Sequence, residues 1–128
     1  MDELITWLRA QLDDDERVAR RAGWNHPEWT YDREMFTVAS DAWVIAARKD
    51  RSGSPINDVD GEHIARWDPA RVLAEVDAKR RILDMWADAQ SAEFPDYWGG
   101  YATALDDVVR QLALPCADRP GFRAEWRP

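Results

Sequence analysis

The residues best suited to chemistry in this chain lie just ahead of its longest helical stretch: Asp58, Asp60, Glu62 and His63. Histidine changes charge near neutral pH, and a neighbouring carboxylate can orient its ring and tune it toward general-base work. His63 with Glu62 is therefore the candidate catalytic pair, with Asp60 close enough in sequence to join it. The same four residues form the candidate binding edge. A competing reading gives His63 a structural role, capping or packing a short helical turn. Residue types alone assign no active site.

Other chemistry-bearing residues lead less far. Asp13-Asp14-Asp15-Glu16 is acidic enough to suggest a metal. Consecutive residues fan around a helix, however, and cannot converge on one ion, so a solvated face is the better reading. Asn57-Asp58-Val59-Asp60-Gly61-Glu62 echoes part of a calcium loop. With Gly61 at the glycine position, Ile56 falls on the first ligand position and Trp67 on the twelfth, where a bidentate Glu is needed. Cys116 follows Pro115 at a helix end, where the negative pole of the helix disfavours a thiolate. His26, before Pro27, reads as a surface residue of a loop. Gly99-Gly100 lacks the preceding strand and following Lys-Ser/Thr of a phosphate loop, and no nucleophile elbow, dinucleotide fingerprint or Cys-x-x-Cys is present. The expectation is no metal and no cofactor.

The elements that must position these residues follow from spacing. Ile5, Leu8, Leu12 and Ala19 recur at helical spacing, with Leu4 and Trp7 widening the stripe, and predict a helix over 2–22 that Gly23 ends. Asp2 and Glu3 in its first turn and Arg20 and Arg21 in its last suit the helix dipole. A loop over 24–33 holds a short strand near Glu28–Tyr31. Met35–Ala39 and Trp43–Arg48 read as strands joined by a turn at Ser40-Asp41. Phe36, Ala39, Trp43 and Ala47 also fit one helix from Glu34 to Lys49. β-Branched and aromatic enrichment favours the strands. Residues 49–61 form a long polar loop, a natural place for function. Glu62–Trp67 makes a helical turn. Asp68 then caps a helix whose first residue is Pro69 and which runs to about Gln90. Its stripe is Val72, Leu73, Val76, Leu83 and Trp86, with Ala87 beside them. Glu93–Gly100 reads as a loop. A last helix spans Tyr101–Leu114 with Tyr101, Leu105, Val108 and Leu112 on one face, and Phe122 and Trp126 pin the tail to the body. The fold class is α+β: N-terminal helix, small antiparallel meander of two or three strands, long central helix, shorter C-terminal helix and packed tail.

Bulk composition sets outer limits. A chain of 128 residues, 45% hydrophobic and 33% charged, suits one soluble domain, 1–128, with a core that needs no metal or disulfide. The single cysteine excludes an internal disulfide. The start has no basic segment followed by an apolar run, and no stretch is apolar enough for a membrane span, so the expected location is cytoplasmic. A net charge of −8 argues against a nucleic-acid backbone as partner. Eight tryptophans are many for this length. Most read as core residues, each burying roughly 150–250 Å². Any left exposed would offer a surface to a protein partner or a second copy.

Two stretches carry a family resemblance. The run from His63 through Ile82, with Ala65, Trp67-Asp68-Pro69-Ala70, Val72-Leu73 and Lys79-Arg80-Arg81, resembles the core motif of a family of small uncharacterised proteins, a domain of unknown function from actinobacteria and their phages. Leu112–Trp126 resembles the same family's C-terminus, where the resemblance implies Tyr at position 116 instead of Cys116. The start, Met1–Leu4 with Leu8, Leu12 and Asp13–Glu16, fits as well. Ile64-Ala65, Asp68-Pro69-Ala70 and Val72-Leu73 are also similar to a motif of small accessory proteins of temperate phages. The resemblance implies a lineage and a fold rather than an activity. It also implies Cys and His before the last helix in some relatives. This chain has none there, so no zinc site follows.

Three functions stay open at this level. The first is a non-enzymatic binding or adaptor module of phage or mobile-element origin. The second is a small enzyme around His63, Glu62 and Asp60. The third is an acidic inhibitor that mimics nucleic acid, which the 17 basic residues interrupting 25 acidic ones disfavour.

Overall fold

The structure is a computed structural model that describes residues 1–47, 56–91 and 95–128. Residues 49–55 of the predicted polar loop and the segment 92–94 lie outside the described residues, as does Arg48 at the end of the second predicted strand. In chain order the elements are α1 (Asp2–Gly23), β1 (Thr30–Asp32), β2 (Thr37–Ala39), β3 (Val44–Ala46), α2 (Asp58–Arg66), α3 (Pro69–Gln90) and α4 (Pro95–Ala113). Two 3-10 turns follow, Leu114–Cys116 and Ala124–Trp126. This is the α+β arrangement read from the sequence. Over the described residues 34–47 the strands decide against a single helix.

The chain divides into two compact units, Met1–Asp14 with Val76–Pro128, and Asp15–Glu75. The division falls inside α1 and inside α3.

The first unit holds most of the buried apolar side chains. Leu4, Ile5, Leu8 and Leu12 from α1 are buried, as are Val76, Leu83, Trp86 and Ala89 from α3 and Leu105, Val109 and Ala113 from α4. Their spacing is that of helices burying one stripe each. Ion pairs flank this stripe: Arg9 to Asp84 at 3.1 Å and Arg80 to Asp13 at 2.6 Å. Trp86 Nε1 donates to Asp106 Oδ1 at 2.6 Å, which gives the buried indole a partner. The tail folds back onto the start of the chain. Trp7 packs against Phe122 and Trp126 with ring centroids 5.5 and 5.6 Å away, and its Nε1 donates to the carbonyl of Pro120 at 2.9 Å. Gly121 sits at φ 86 beneath the Trp7 indole, a backbone conformation and a close approach that both favour glycine.

The second unit is built on a β1-β2-β3 antiparallel meander with Thr30 opposite Ala39 and Tyr31 opposite Val38. A register shift at Val38/Ala39 marks an irregularity where β2 pairs β3. Alternation along β1 leaves Thr30 and Asp32 exposed and turns Tyr31 inward, and Val38 is fully buried opposite it. The helix α2 packs on β1 and β2.

Several expectations change. α4 begins at Pro95, so part of the predicted 93–100 loop is helical. Proline suits a first helical turn, and Gly99 and Gly100 are carried inside the helix despite costing about 1 kcal/mol each relative to alanine. The buried face of α4 runs through Val109 and Ala113, with Val108 and Tyr101 exposed. Adjacent valines make the phase of the stripe ambiguous until a packing partner chooses one. On α3, Ala89 is buried and Ala87 exposed. Of the tryptophans, Trp86 and Trp126 are buried, whereas Trp24, Trp43 and Trp67 are exposed at 72%, 45% and 46%. Trp67 departs from the reading that most of the tryptophans are core residues. It lies instead on the surface with the Arg71 guanidinium stacked over its ring at 3.9 Å.

Candidate functional site

The leading edge of α2 is held by side chains before it can react with anything. Asn57 is the N-cap: its Oδ1 accepts from Asp60 N at 2.8 Å, and its Nδ2 donates to Asp60 Oδ2 at 2.7 Å. The first bond satisfies one helix-end N–H, and the second, between side chains, commits the Asp60 carboxylate. Asp58 accepts from the Tyr31 hydroxyl at 2.9 Å and lies 3.9 Å from Arg33. Glu62 pairs with the same Arg33. His63 is exposed. Its ring centroid lies 6.1 Å from that of Trp67, and its carbonyl accepts from Trp67 N at 3.1 Å. The structure therefore gathers Asp58 and Glu62 around Arg33 and Tyr31, places Asp60 in the cap, and turns His63 toward Trp67.

Tyr31 and Arg33 are the participants that spacing did not reveal. Tyr31 reaches α2 because Gly61 leaves room: a Cβ there would lie 2.3 Å from the tyrosine ring. Desolvation holds the Tyr31 phenol above its ordinary value of 10.0, helped by the hydrogen bond to Asp58 and that residue's charge and opposed by Arg33. A neutral phenol donating to a carboxylate that an arginine also compensates makes a stable pin between β1 and α2. Sequence spacing places Gly61 at the end of the polar loop, but the helix begins at Asp58 and carries this glycine inside it, where it permits the close approach.

A second constellation lies at the other end of the meander. Because Thr30 pairs with Ala39, the residues before β1 and those after β2 emerge at the same end of the sheet. His26 Nδ1 stands 2.5 Å from Asp41 Oδ1. A carboxylate only accepts, so Nδ1 carries the proton and the ring is held in one tautomer. The His26 ring meets the Trp43 ring at 5.1 Å, close to edge-on. His26 and Asp41, with Asn25, Pro27, Glu28, Thr30, Ala39 and Ser40, border a groove of about 410 Å³. The Ser40 hydroxyl is occupied locally, accepting from Ala42 N and Trp43 N at 3.2 Å each. Trp24 and Asn25, at φ 32 and 65, turn the chain out of α1 into this groove in a left-handed conformation rare for such residues. By sequence alone His26 reads as a surface residue of a loop. Its partner is 15 positions away and meets it only once the hairpin has formed.

Fold and side chains together describe a small α+β protein with a capped, pinned helix beside a three-stranded meander and a groove at the meander's end. The chain belongs to DUF6221, a family of unknown function whose model matches residues 1–128. No curated protein and no solved structure matches the chain.

Proposed function

We propose that the chain is a non-enzymatic binding module of actinobacterial phage or mobile-element origin, and that its partner is a protein docking on the 15–75 unit. The observation that supports this reading is where large apolar side chains stay in contact with solvent. Trp24, Trp43 and Trp67 are exposed in this unit, with Met35 and Val59 at 69% and 76%. Tryptophan is the residue type most enriched among those that dominate binding energy at protein interfaces. Among its described residues, the one large apolar side chain the unit fully buries is Val38, with the small Ala19 buried as well.

The test is a capture experiment from a native host with the wild-type chain and a Trp24→Ser/Trp43→Ser/Trp67→Ser variant, whose folding is checked by circular dichroism and thermal melting. A stoichiometric protein retained by the wild type and lost by the folded variant is the expected result. Equal capture by both, or no stoichiometric partner, overturns the reading. A homodimer is the other occupant such a surface could take, and sedimentation of the purified chain over a concentration range distinguishes it.

A further inference from the structure

We propose that the outward face of α2 pairs antiparallel with the same face of a second copy of this chain. The proposal goes beyond the protein-partner reading and concerns a helix face to which neither Trp24 nor Trp43 belongs. α2 turns Gly61 inward beneath Tyr31, with Ile64 and Ala65 half-buried on the same side. Val59, His63, Arg66 and Trp67 are all exposed. Their spacing puts them on one stripe, opposite the buried glycine. The stripe has an apolar anchor at each end. Val59, at 76%, is the most exposed large apolar side chain among the described residues, and Trp67 is exposed at 46%. Burial of these two side chains is a gain that the single chain does not collect.

Charge decides what covers them. The first turn of α2 is acidic, through Asp58 and Asp60, and its last turn is basic, through His63 and Arg66. The helix dipole favours that order within one chain. The same order makes the face complementary to itself when reversed. An antiparallel match centred on His63 brings Val59 level with the second copy's Trp67, and Asp60 level with the second copy's Arg66. A two-fold axis makes each contact twice. Both charged groups have capacity for it. Asp60 holds Asn57 through Oδ2, and among the described residues the Arg66 side chain has no hydrogen-bond or ion-pair partner. Within one chain Asp60 and Arg66 are six residues apart on opposite flanks of the stripe, so they do not meet. Other occupants fit one end only. An anionic surface, lipid or nucleic acid, would meet Asp58 and Asp60, and a uniformly basic partner would meet Arg66. A second copy satisfies both ends. The nine residues of α2 span roughly 13 Å, a small patch, so the pairing is weak, with a Kd of roughly 10–100 µM.

The test is sedimentation equilibrium of the full chain from about 1 µM to about 1 mM, with two charge reversals. The wild type should pass from monomer to dimer over this range. Asp60→Arg sets arginine against Arg66, and Arg66→Asp sets aspartate against Asp60. Like charges at an interface are costly, so each variant alone should self-associate at least about tenfold more weakly. Mixed together, the two variants present opposite charges at both ends and should form a one-to-one heterodimer about as tight as the wild-type dimer. Trp67→Ser should weaken the wild-type dimer by about tenfold through lost apolar contact. Circular dichroism and melting curves check that each variant folds. A wild type that stays monomeric to the highest concentration, single reversals that dimerise as the wild type does, or folded reversals that stay monomeric when mixed overturns the proposal.

Discussion

A methyl group at position 61 has nowhere to go. Gly61 is buried beneath Tyr31, and a Cβ would lie 2.3 Å from two ring carbons. Gly61→Ala should therefore destabilise the chain by about 1–3 kcal/mol, the range for overpacking a filled site, read as a lower urea midpoint. If the midpoint is unchanged, the tyrosine does not sit where described. Tyr31 itself carries a pH signature. Its phenol is held above 10.0 in the folded chain, chiefly by desolvation and by Asp58. A raised folded value makes the contribution full below the unfolded value and lost as pH climbs through the folded one. The wild type should thus lose stability above about pH 10, and Tyr31→Phe should lose less over the same window. Urea denaturation between pH 8 and 11 makes the comparison, and parallel losses in both chains would contradict it.

Among the elements, α3 depends most on one side chain. Asp68 Oδ1 accepts from Arg71 N at 2.9 Å as the cap of the helix, while Oδ2 accepts from Trp29 N at 3.0 Å. Pro69 follows, and its neighbour Ala70 donates its N–H to the Pro27 carbonyl at 3.1 Å. One carboxylate thus starts the helix and anchors the loop that leads to β1. Asp68→Ala removes both acceptors and should cost about 1–3 kcal/mol, more than a cap alone. Asp68→Asn keeps an oxygen for Arg71 N and should recover part of that loss. Thermal melts of the two variants measure the difference, and identical melts would show that the Arg71 cap contact contributes nothing. The reciprocal Asn57–Asp60 cap of α2 does comparable work at smaller scale.

Across the whole molecule the buried apolar side chains are unevenly shared. The unit containing both chain ends buries leucines, valines and Trp86 from three helices, and Trp126 from the tail. The 15–75 unit is held largely by its ladder, its caps and the Tyr31 pin. In the first unit the aromatic cluster of Trp7, Phe122 and Trp126 joins the two ends of the sequence. Arg123 pairs with Glu3 beside it. Trp126→Ala should cost about 3–5 kcal/mol, as expected for truncating a buried tryptophan. It should also make the Trp7 fluorescence more accessible to acrylamide. An unaltered melt with unaltered quenching would mean that the tail does not hold this face.

Much of the architecture was legible in the sequence because it is local. The N-terminal helix, the Asp68-Pro69 start of α3, its end at Gln90 and the strand pair around Ser40-Asp41 all follow from spacing, caps and turn chemistry, which act over a few residues. Composition likewise disclosed an acidic chain rich in tryptophan. Tertiary structure decided the rest, because burial and pairing are properties of what lies opposite. Only the fold chose Val109 over Val108, sent Trp67 to the surface under Arg71, and took Asp60 and Glu62 into a cap and an ion pair. Only the hairpin register brought His26 to Asp41 across 15 positions, where a charge and a ring separated in sequence become one groove.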